Sequence, residues 1–246
     1  METTLAIILN HNLPELTDEL YEAIARETWS DCDLVVLDNG SDSDKVSQYT
    51  RVRLAENRFF GGAINRAFAL VLESKTYSHL LFLNNDLVLE TPRLLDHLRK
   101  AIAEGYKLVS PSIAGHCAWP QMRRLTQSNV RVVPWVDFVA PLFHRNFIEH
   151  VRSFDDRLAW GWGQDVLSGL VCEEQNWRVG VCDDASVFHL GRQTLERGRL
   201  RINGRTCSTS EYRQYAFDAM VEYFTAIGEA EDLNRLRDAA AKYRYP

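Results

Sequence analysis

The chain has 246 residues, 46% of them hydrophobic and 25% charged, with a net charge of −6. This is the composition of an ordinary globular protein with room for one large domain or two small ones, and its negative balance excludes a bulk attraction to nucleic acid. No apolar run nears the length of a membrane span, the start lacks the basic region of a secretory signal, and five scattered cysteines without a CxxC pair fit a reducing cytosol.

Leu5-Ala6-Ile7-Ile8-Leu9 is a continuous apolar run, as in a strand covered on both faces, and it stops at Asn10-His11-Asn12. Pro14 opens a helix predicted through Trp29, with Leu16, Leu20, Ala23 and Ile24 at helical spacing. A second strand, Leu34-Val35-Val36-Leu37, ends in Asp38-Asn39-Gly40-Ser41-Asp42. Strand, helix and strand at this spacing give a parallel pair whose polar ends share one rim. Asp38 either begins the Asn39-Gly40 turn or offers its carboxylate to a nucleobase N–H or a ribose hydroxyl.

A short helix and a strand at Val52-Arg53-Leu54 lead to Asn57-Arg58-Phe59-Phe60-Gly61-Gly62 and a helix with apolar residues at the right period. Gly61 and Gly62 allow positive φ and close backbone approach, the helix N-terminus favours an anion, and Arg58 adds charge for a phosphate. A plain glycine-rich helix start accounts for the same residues. No P-loop and no dinucleotide fingerprint is present. Leu80-Leu81-Phe82-Leu83 is another buried strand, ending in Asn84-Asn85-Asp86 where ligands bind in open parallel sheets. Asp86 is a candidate for a metal ion or a sugar hydroxyl; otherwise the triplet turns the chain before a helix from Thr91-Pro92 to Glu104.

Lys107-Leu108-Val109 reads as a strand closed by Ser110-Pro111, and residues 112–134 as an irregular or hairpin insertion that shapes an acceptor site. Residues 136–140 are expected to resume the sheet, and 143–151 to form a short helix. Trp160-Gly161-Trp162-Gly163-Gln164-Asp165 then precedes a helix to about Gln175. Asp165 either caps that helix or serves as a general base beside a sugar ring stacked on the tryptophans. Residues 178–182 and 185–189 read as a strand pair ending in His189, a surface hydrogen-bonding residue or a metal ligand. Arg192, Arg197, Arg199, Arg201 and Arg205 form a solvated loop or a screen for phosphate. Two amphipathic helices, 210–223 and 229–243, come last; the aromatic face of the first packs on the body, or serves a homodimer or a membrane surface.

In this order the segments resemble the family 2 glycosyltransferases of the GT-A fold. The motifs that carry the likeness are Asn10-His11-Asn12-x-Pro14, Asp38-Asn39-Gly40-Ser41, Asn57-x-x-x-Gly61-Gly62-x-x-Asn65, Asn84-Asn85-Asp86, Trp162-Gly163-Gln164-Asp165 and Asp184 to His189, across roughly residues 3–190. The segment from Asn57 to Asn65 is most similar to the rhamnosyltransferase-type branch, whose donors are dTDP-rhamnose and its relatives. The resemblance implies an α/β fold with a mostly parallel central sheet flanked by helices. It implies a domain over 1–209, with a nucleotide-binding half (1–110) and an acceptor-side half (111–209), and a helical extension over 210–246.

Residue by residue, the resemblance places Asp38 on the nucleobase and Asn10 and Asn12 on the nucleotide, with Asn57, Arg58, Gly61, Gly62, Asn65, Asn84 and Asn85 around the nucleotide sugar. It places Asp86 and His189 on a Mg²⁺ or Mn²⁺ that bridges the donor diphosphate, makes Asp165 the base, and sets Trp160, Trp162 and Gly163 against the acceptor. The implied reaction is an inverting transfer to a saccharide or lipid-linked acceptor in cell-surface polysaccharide synthesis, in the cytoplasm or on the inner face of its membrane. Asn84 stands where the first DxD carboxylate is expected, and Gln164 where the Glu of a Glu-Asp pair is expected. Two rival readings are a sugar-1-phosphate nucleotidyltransferase, which would carry a Gly-rich basic loop in place of Asn10–Pro14, and a catalytically degenerate fold that only binds nucleotide or glycan.

Overall fold

The computed structural model of the chain describes residues 2–27, 29–125, 129–191, 193–197, 201–202 and 205–241. The first half consists of β1 (Thr3–Asn10), α1 (Pro14–Glu27), β2 (Cys32–Asp38), β3 (Thr50–Arg53), α2 (Phe59–Glu73) and β4 (Tyr77–Asn84). The second consists of β5 (Leu87–Leu89), α3 (Leu94–Ala103), β6 (Tyr106–Gly115), β7 (Val130–Val132), β8 (Leu142–His144), α4 (Arg145–Val151), α5 (Gln164–Glu174) and β9 (Arg178–His189). After these come α6 (Gln193–Glu196), a two-stranded ribbon of β10 (Arg201–Ile202) and β11 (Arg205–Thr206), then α7 (Thr209–Ala226) and α8 (Ala230–Ala241). Arg192 and Arg199 of the arginine-rich run, and Tyr243 at the expected end of the last helix, lie outside the described residues.

The main sheet has the order β3-β2-β1-β4-β8-β6-β9-β5, with β7 also paired to β9. Tracing the pairings, β1, β2, β3, β4, β6 and β9 run one way and β5, β7 and β8 the other. The apolar runs explain this layout: β1 and β4 are buried along nearly their whole length, so helices must cover both faces. Phe68 of α2, Phe143 of β8 and Phe147 of α4 are fully buried and meet with ring centroids 5.2–6.4 Å apart. A second apolar cluster joins Trp135, Val166 and Leu170 to Met220, Phe224 and Leu233 and fastens α7 and α8 against α5. The aromatic face of α7 therefore packs in part on the body, through Met220, Tyr223 and Phe224.

Several local expectations are corrected. Residues 42–49 turn without forming a helix. The strand at Lys107 does not close at Pro111 but continues to Gly115, because β9 accompanies it along its length. Residues 178–189 form one continuous strand rather than a pair, with its register shift absorbed opposite Pro111 and Ser112. Residues 136–140 are turn and coil, and the sheet resumes only at Leu142. That segment lies beside β4 through two bonds, Asn84 N–H to Val139 O (3.0 Å) and Phe82 N–H to Pro141 O (3.0 Å), and bends away between them.

Candidate active site

Parallel strands bring their carboxyl ends to one rim, and the register aligns these ends closely: Asn10 sits opposite Asp38, and Leu9 opposite Asn84. Successive side chains of a strand point to opposite sides, and here the consequence is sharp. Asn10 and Asp38 are wholly buried. Asp38 Oδ2 accepts from Asn10 Nδ2 (2.8 Å), Oδ1 accepts from Ser41 N–H (3.0 Å), and Arg53 lies 3.4 Å from Oδ1. Asn10 Oδ1 in turn accepts from Thr17 Oγ1 (2.9 Å) at the start of α1. Asn12 binds the same loop, its Oδ1 accepting from Asp42 N–H (2.8 Å). Asn10 and Asp38 thus brace the rim from inside, while their neighbours His11 and Asn39 line the cleft.

His11, Asn39 and Asn57 line the cleft, and their hydrogen bonds fix one protonation pattern. Asn57 Oδ1 accepts from Asn39 Nδ2 (3.0 Å) and Phe59 N–H (2.8 Å), so Asn57 Nδ2 must donate to His11 Nε2 (3.1 Å). His11 Nε2 is therefore an acceptor and Nδ1–H donates to the Asn39 carbonyl (3.0 Å). Burial lowers the His11 pKa in spite of that bond and of the nearby Asp38 and Asp42, which keeps the ring neutral.

Asp86 and His189 meet on the opposite part of the rim. The short strand β5 starts just after Asp86 and pairs Leu87 with His189, while Leu190 N–H donates to the Asp86 carbonyl (3.0 Å). His189 Nδ1–H donates to His116 O (2.9 Å), which turns Nε2 toward Asp86 Oδ1 at 3.2 Å. Burial opposes a charge on His189, but the bond to Asp86, the charges of Asp86 and Asp137 and the His116 carbonyl outweigh it and raise its pKa. Among the described residues no three metal-binding side chains converge. The donor set nevertheless fits a Mg²⁺ or Mn²⁺ that takes only one or two protein ligands and completes its shell with phosphate oxygens and water. The imidazole fits this role because its second nitrogen is already held by a carbonyl.

Asp165 begins α5, where Gly163 adopts φ +89° and any side chain would collide with Met220. Asp165 Oδ1 accepts from Val166 N–H (2.9 Å) and Gly163 N–H (3.2 Å), and Oδ2 accepts from Trp119 Nε1 (2.7 Å). A carboxylate oxygen has two lone-pair sites, so Oδ2 keeps one free. Burial, and then the charge of Asp137, push the Asp165 carboxyl up to about 7, against the three N–H bonds. Asp137, which lines the cleft, is itself raised by burial, and His189 counteracts this.

The cleft has a volume of about 480 Å³, within the range of small-molecule sites. Asn84, Asn85, Asp86 and His189 form one part of it, and Phe59, Trp160 and Trp162 another. Asn85 Nδ2 donates inward to Thr17 Oγ1 (3.0 Å). Trp160 is clamped by Phe59 (centroids 4.6 Å), by a stack on Tyr215 (5.9 Å, 18°) and by the Tyr212 hydroxyl, which donates to the Trp160 carbonyl. Nine expected residues fall outside the lining: Asn10, Asn12, Asp38, Gly163 and Asp165, placed above, and Arg58, Gly61, Gly62 and Asn65. Gly61 spends its N–H on Ala159 O (2.8 Å), and a side chain there would meet Gln164 and Ala159. Gly62 N–H bonds back to Arg58 O (3.0 Å), and the Arg58 side chain is exposed. Asn65 clamps Phe154, donating to its carbonyl (2.9 Å) and accepting from its N–H (2.8 Å). The positive φ expected of the glycines falls instead on Phe59, at 54°. His11, Asn39, Asp137, His116 and Arg213 were not picked out from the sequence; strand alternation beyond Asn10 and Asp38 was the signal for the first two.

No curated protein matches the sequence. Two solved structures are similar at low identity, which speaks to the fold. One is GalNAc-T7 with UDP, GalNAc and Mn²⁺: TM-score 0.65 and 12% identity over 99% of this chain and 54% of that one, so this chain spans about half its length. The other is S. aureus TarS 1–349: TM-score 0.56 and 14% identity over 91% of this chain and 72% of that one. Residues 5–127 match the model of glycosyl transferase family 2. That stretch is half of the chain and contains the rim from Asn10 to Asp86, and the protein belongs to glycosyl transferase family 2, with the GT-A fold.

Proposed function

We propose that the protein transfers a sugar from a nucleoside-diphosphate donor, dTDP-rhamnose or a UDP-sugar, to a hydroxyl of a saccharide or lipid-linked acceptor in cell-surface polysaccharide synthesis. The carrying observation is that one cleft at the carboxyl ends of β1, β2, β4 and β9 holds the Asp86–His189 pair together with Asp137, whose charge helps to raise the carboxyl of Asp165 just outside the lining. GalNAc-T7, solved with a nucleotide, a sugar and a cation, supports this reading by fold.

In this reading the nucleotide lies over His11, Asn39 and Asn57, with Asn10 and Asp38 holding that surface from beneath. Asp86 and His189 hold the divalent cation, which when bound supplies Lewis-acid stabilisation of the diphosphate. Asp165 takes the proton of the acceptor hydroxyl at the free site of Oδ2 while that oxygen forms its bond to C1. The bond from C1 to the diphosphate oxygen breaks on the other side, the electron pair leaves with the nucleoside diphosphate, and the anomeric centre inverts. A pKa of about 7 makes Asp165 basic enough to accept the proton and leaves about half of it ionised at neutral pH.

The test is a panel of UDP-, GDP- and dTDP-sugars with and without Mn²⁺, read by thermal stabilisation and by donor hydrolysis. Stabilisation by at least one nucleotide sugar, enhanced by Mn²⁺, is expected. No stabilisation by any of them would overturn the donor site.

A further inference from the structure

Beside the cleft lies a second, shallower depression lined by Trp162, Thr209, Ser210, Arg213, Gln214 and Phe217. Trp162 and Arg213 belong to both, so the two are continuous. Trp162 is 38% exposed, Phe217 37% and Val221 38%. Arg213, Phe217 and Val221 are spaced four residues apart on α7, which places them in one row along about 12 Å of helix. Leading out from the cleft, the surface therefore offers an aromatic face, then a guanidinium, then two apolar side chains. No ion pair engages Arg213 among the described residues, although the protein carries a net charge of −6.

We infer that this row is an acceptor subsite for an amphiphile: a sugar on Trp162, a phosphate on that sugar at Arg213, and the start of a hydrocarbon chain along Phe217 and Val221. The inference rests on the glycosyltransferase reading and narrows its acceptor to the lipid-phosphate-linked class. Each step has a chemical reason. A guanidinium binds phosphate through paired N–H donors, exposed aromatic and branched side chains gain by covering a hydrocarbon chain, and continuity with the cleft puts the sugar end nearest the donor. The next row of α7 carries Asp218, held by Gln214 Nε2 (2.7 Å), and Glu222. A plane of anionic headgroups laid on α7 would meet those carboxylates, whereas a single chain following the row would not, which favours one amphiphilic molecule over a membrane surface.

The probes are dodecyl phosphate below its micellar concentration, dodecyl maltoside as a neutral amphiphile, and phosphatidylglycerol vesicles. Binding is followed by calorimetry on the full chain and on Arg213→Gln and Phe217→Ser, whose thermal transitions report whether each is folded. Dodecyl phosphate is expected to bind more tightly than the maltoside and to lose about tenfold in affinity in either variant, with nucleotide-sugar binding unchanged in Phe217→Ser, which lies outside the cleft lining. Equal affinity in wild type and both variants, or tighter binding of the maltoside, would overturn the subsite. Cosedimentation with vesicles without binding of monomeric dodecyl phosphate would overturn it in favour of a membrane contact. Loss of nucleotide-sugar binding in the wild type, with dodecyl phosphate still bound, would instead remove the glycosyltransferase reading and leave the anion-and-chain surface standing.

Discussion

On the side of the cleft proposed for the donor, His11, Asn39 and Asn57 hold one another through a closed set of hydrogen bonds, with the buried Asn10–Asp38 pair beneath them. On the side proposed for the acceptor, Trp160 and Tyr215 are held mainly by ring contacts, and Tyr215 and the neighbouring Trp162 remain partly exposed. The first kind of surface is specific because its polar groups are paired with one another and a buried orphan is costly. The second tolerates change, because contact area rather than direction carries it. Substitutions on the donor side should thus disturb binding and stability together, and those on the acceptor side should change acceptor affinity alone.

The sharpest break in that contrast is at Asp165, an acidic group held by N–H donors on the acceptor side. Asp165→Asn should lower turnover by about 10³-fold, with nucleotide-sugar affinity by calorimetry unchanged; undiminished turnover would remove Asp165 as base. Next, Asp38→Ala leaves Ser41 N–H without its carboxylate partner and takes from Asn10 Nδ2 its shortest hydrogen bond, in a wholly buried place. It should cost about 3 kcal/mol in urea unfolding, and a change of a few tenths would show that Asp38 does not brace the rim. Asp86→Asn should weaken nucleotide-diphosphate binding in Mn²⁺ by roughly 10- to 100-fold, and chelation should bring wild type and variant to the same affinity.

The pH profile gives a smaller, graded effect. In the proposed role Asp165 works as the carboxylate, and its pKa is raised to about 7, so kcat/KM should fall as pH drops through that value. Trp119→Phe removes a bond that favours the charged form and should move this limb to higher pH; Asp137→Asn removes a repelling charge and should move it lower. A limb that stays in place in both variants would assign it to another group. The smallest effect is expected for Trp162→Ala, which should raise the acceptor KM by about fivefold, consistent with roughly 1 kcal/mol for an exposed aromatic contact, while leaving the unfolding midpoint where it was.

Much of the donor half was legible in the chain. Unbroken apolar runs at Leu5–Leu9, Leu34–Leu37 and Leu80–Leu83 can only be strands covered on both sides, and polar residues at their ends mark the rim. Asp86, His189 and Asp165 were likewise visible as acidic or imidazole groups at element ends. The opposite holds for β5, whose three residues are too few to show a period, and for residues 136–140, which read as a strand but bend to carry Asp137 into the cleft. Asn57 to Asn65 was legible as a motif but not as geometry: Asn57 reaches the cleft, while Gly61 and Asn65 turn to the loop at 154–159.

Sequence alone settled that the long apolar runs Leu5–Leu9, Leu34–Leu37 and Leu80–Leu83 are strands, that their polar ends gather at one edge, and which residue types stand there, because hydrophobic period and chain direction are local properties. Which of two neighbouring polar residues faces the cleft was decided by pairing register and strand alternation, as with Asn10 and His11 or Asp38 and Asn39. The meeting of Asp86 with His189, 103 positions apart in the chain, needed β5 to lie against β9. The row from Trp162 to Val221 needed α7 to dock through Met220 and Phe224. These are contacts between surfaces distant in sequence, and only packing of the whole chain brings them together.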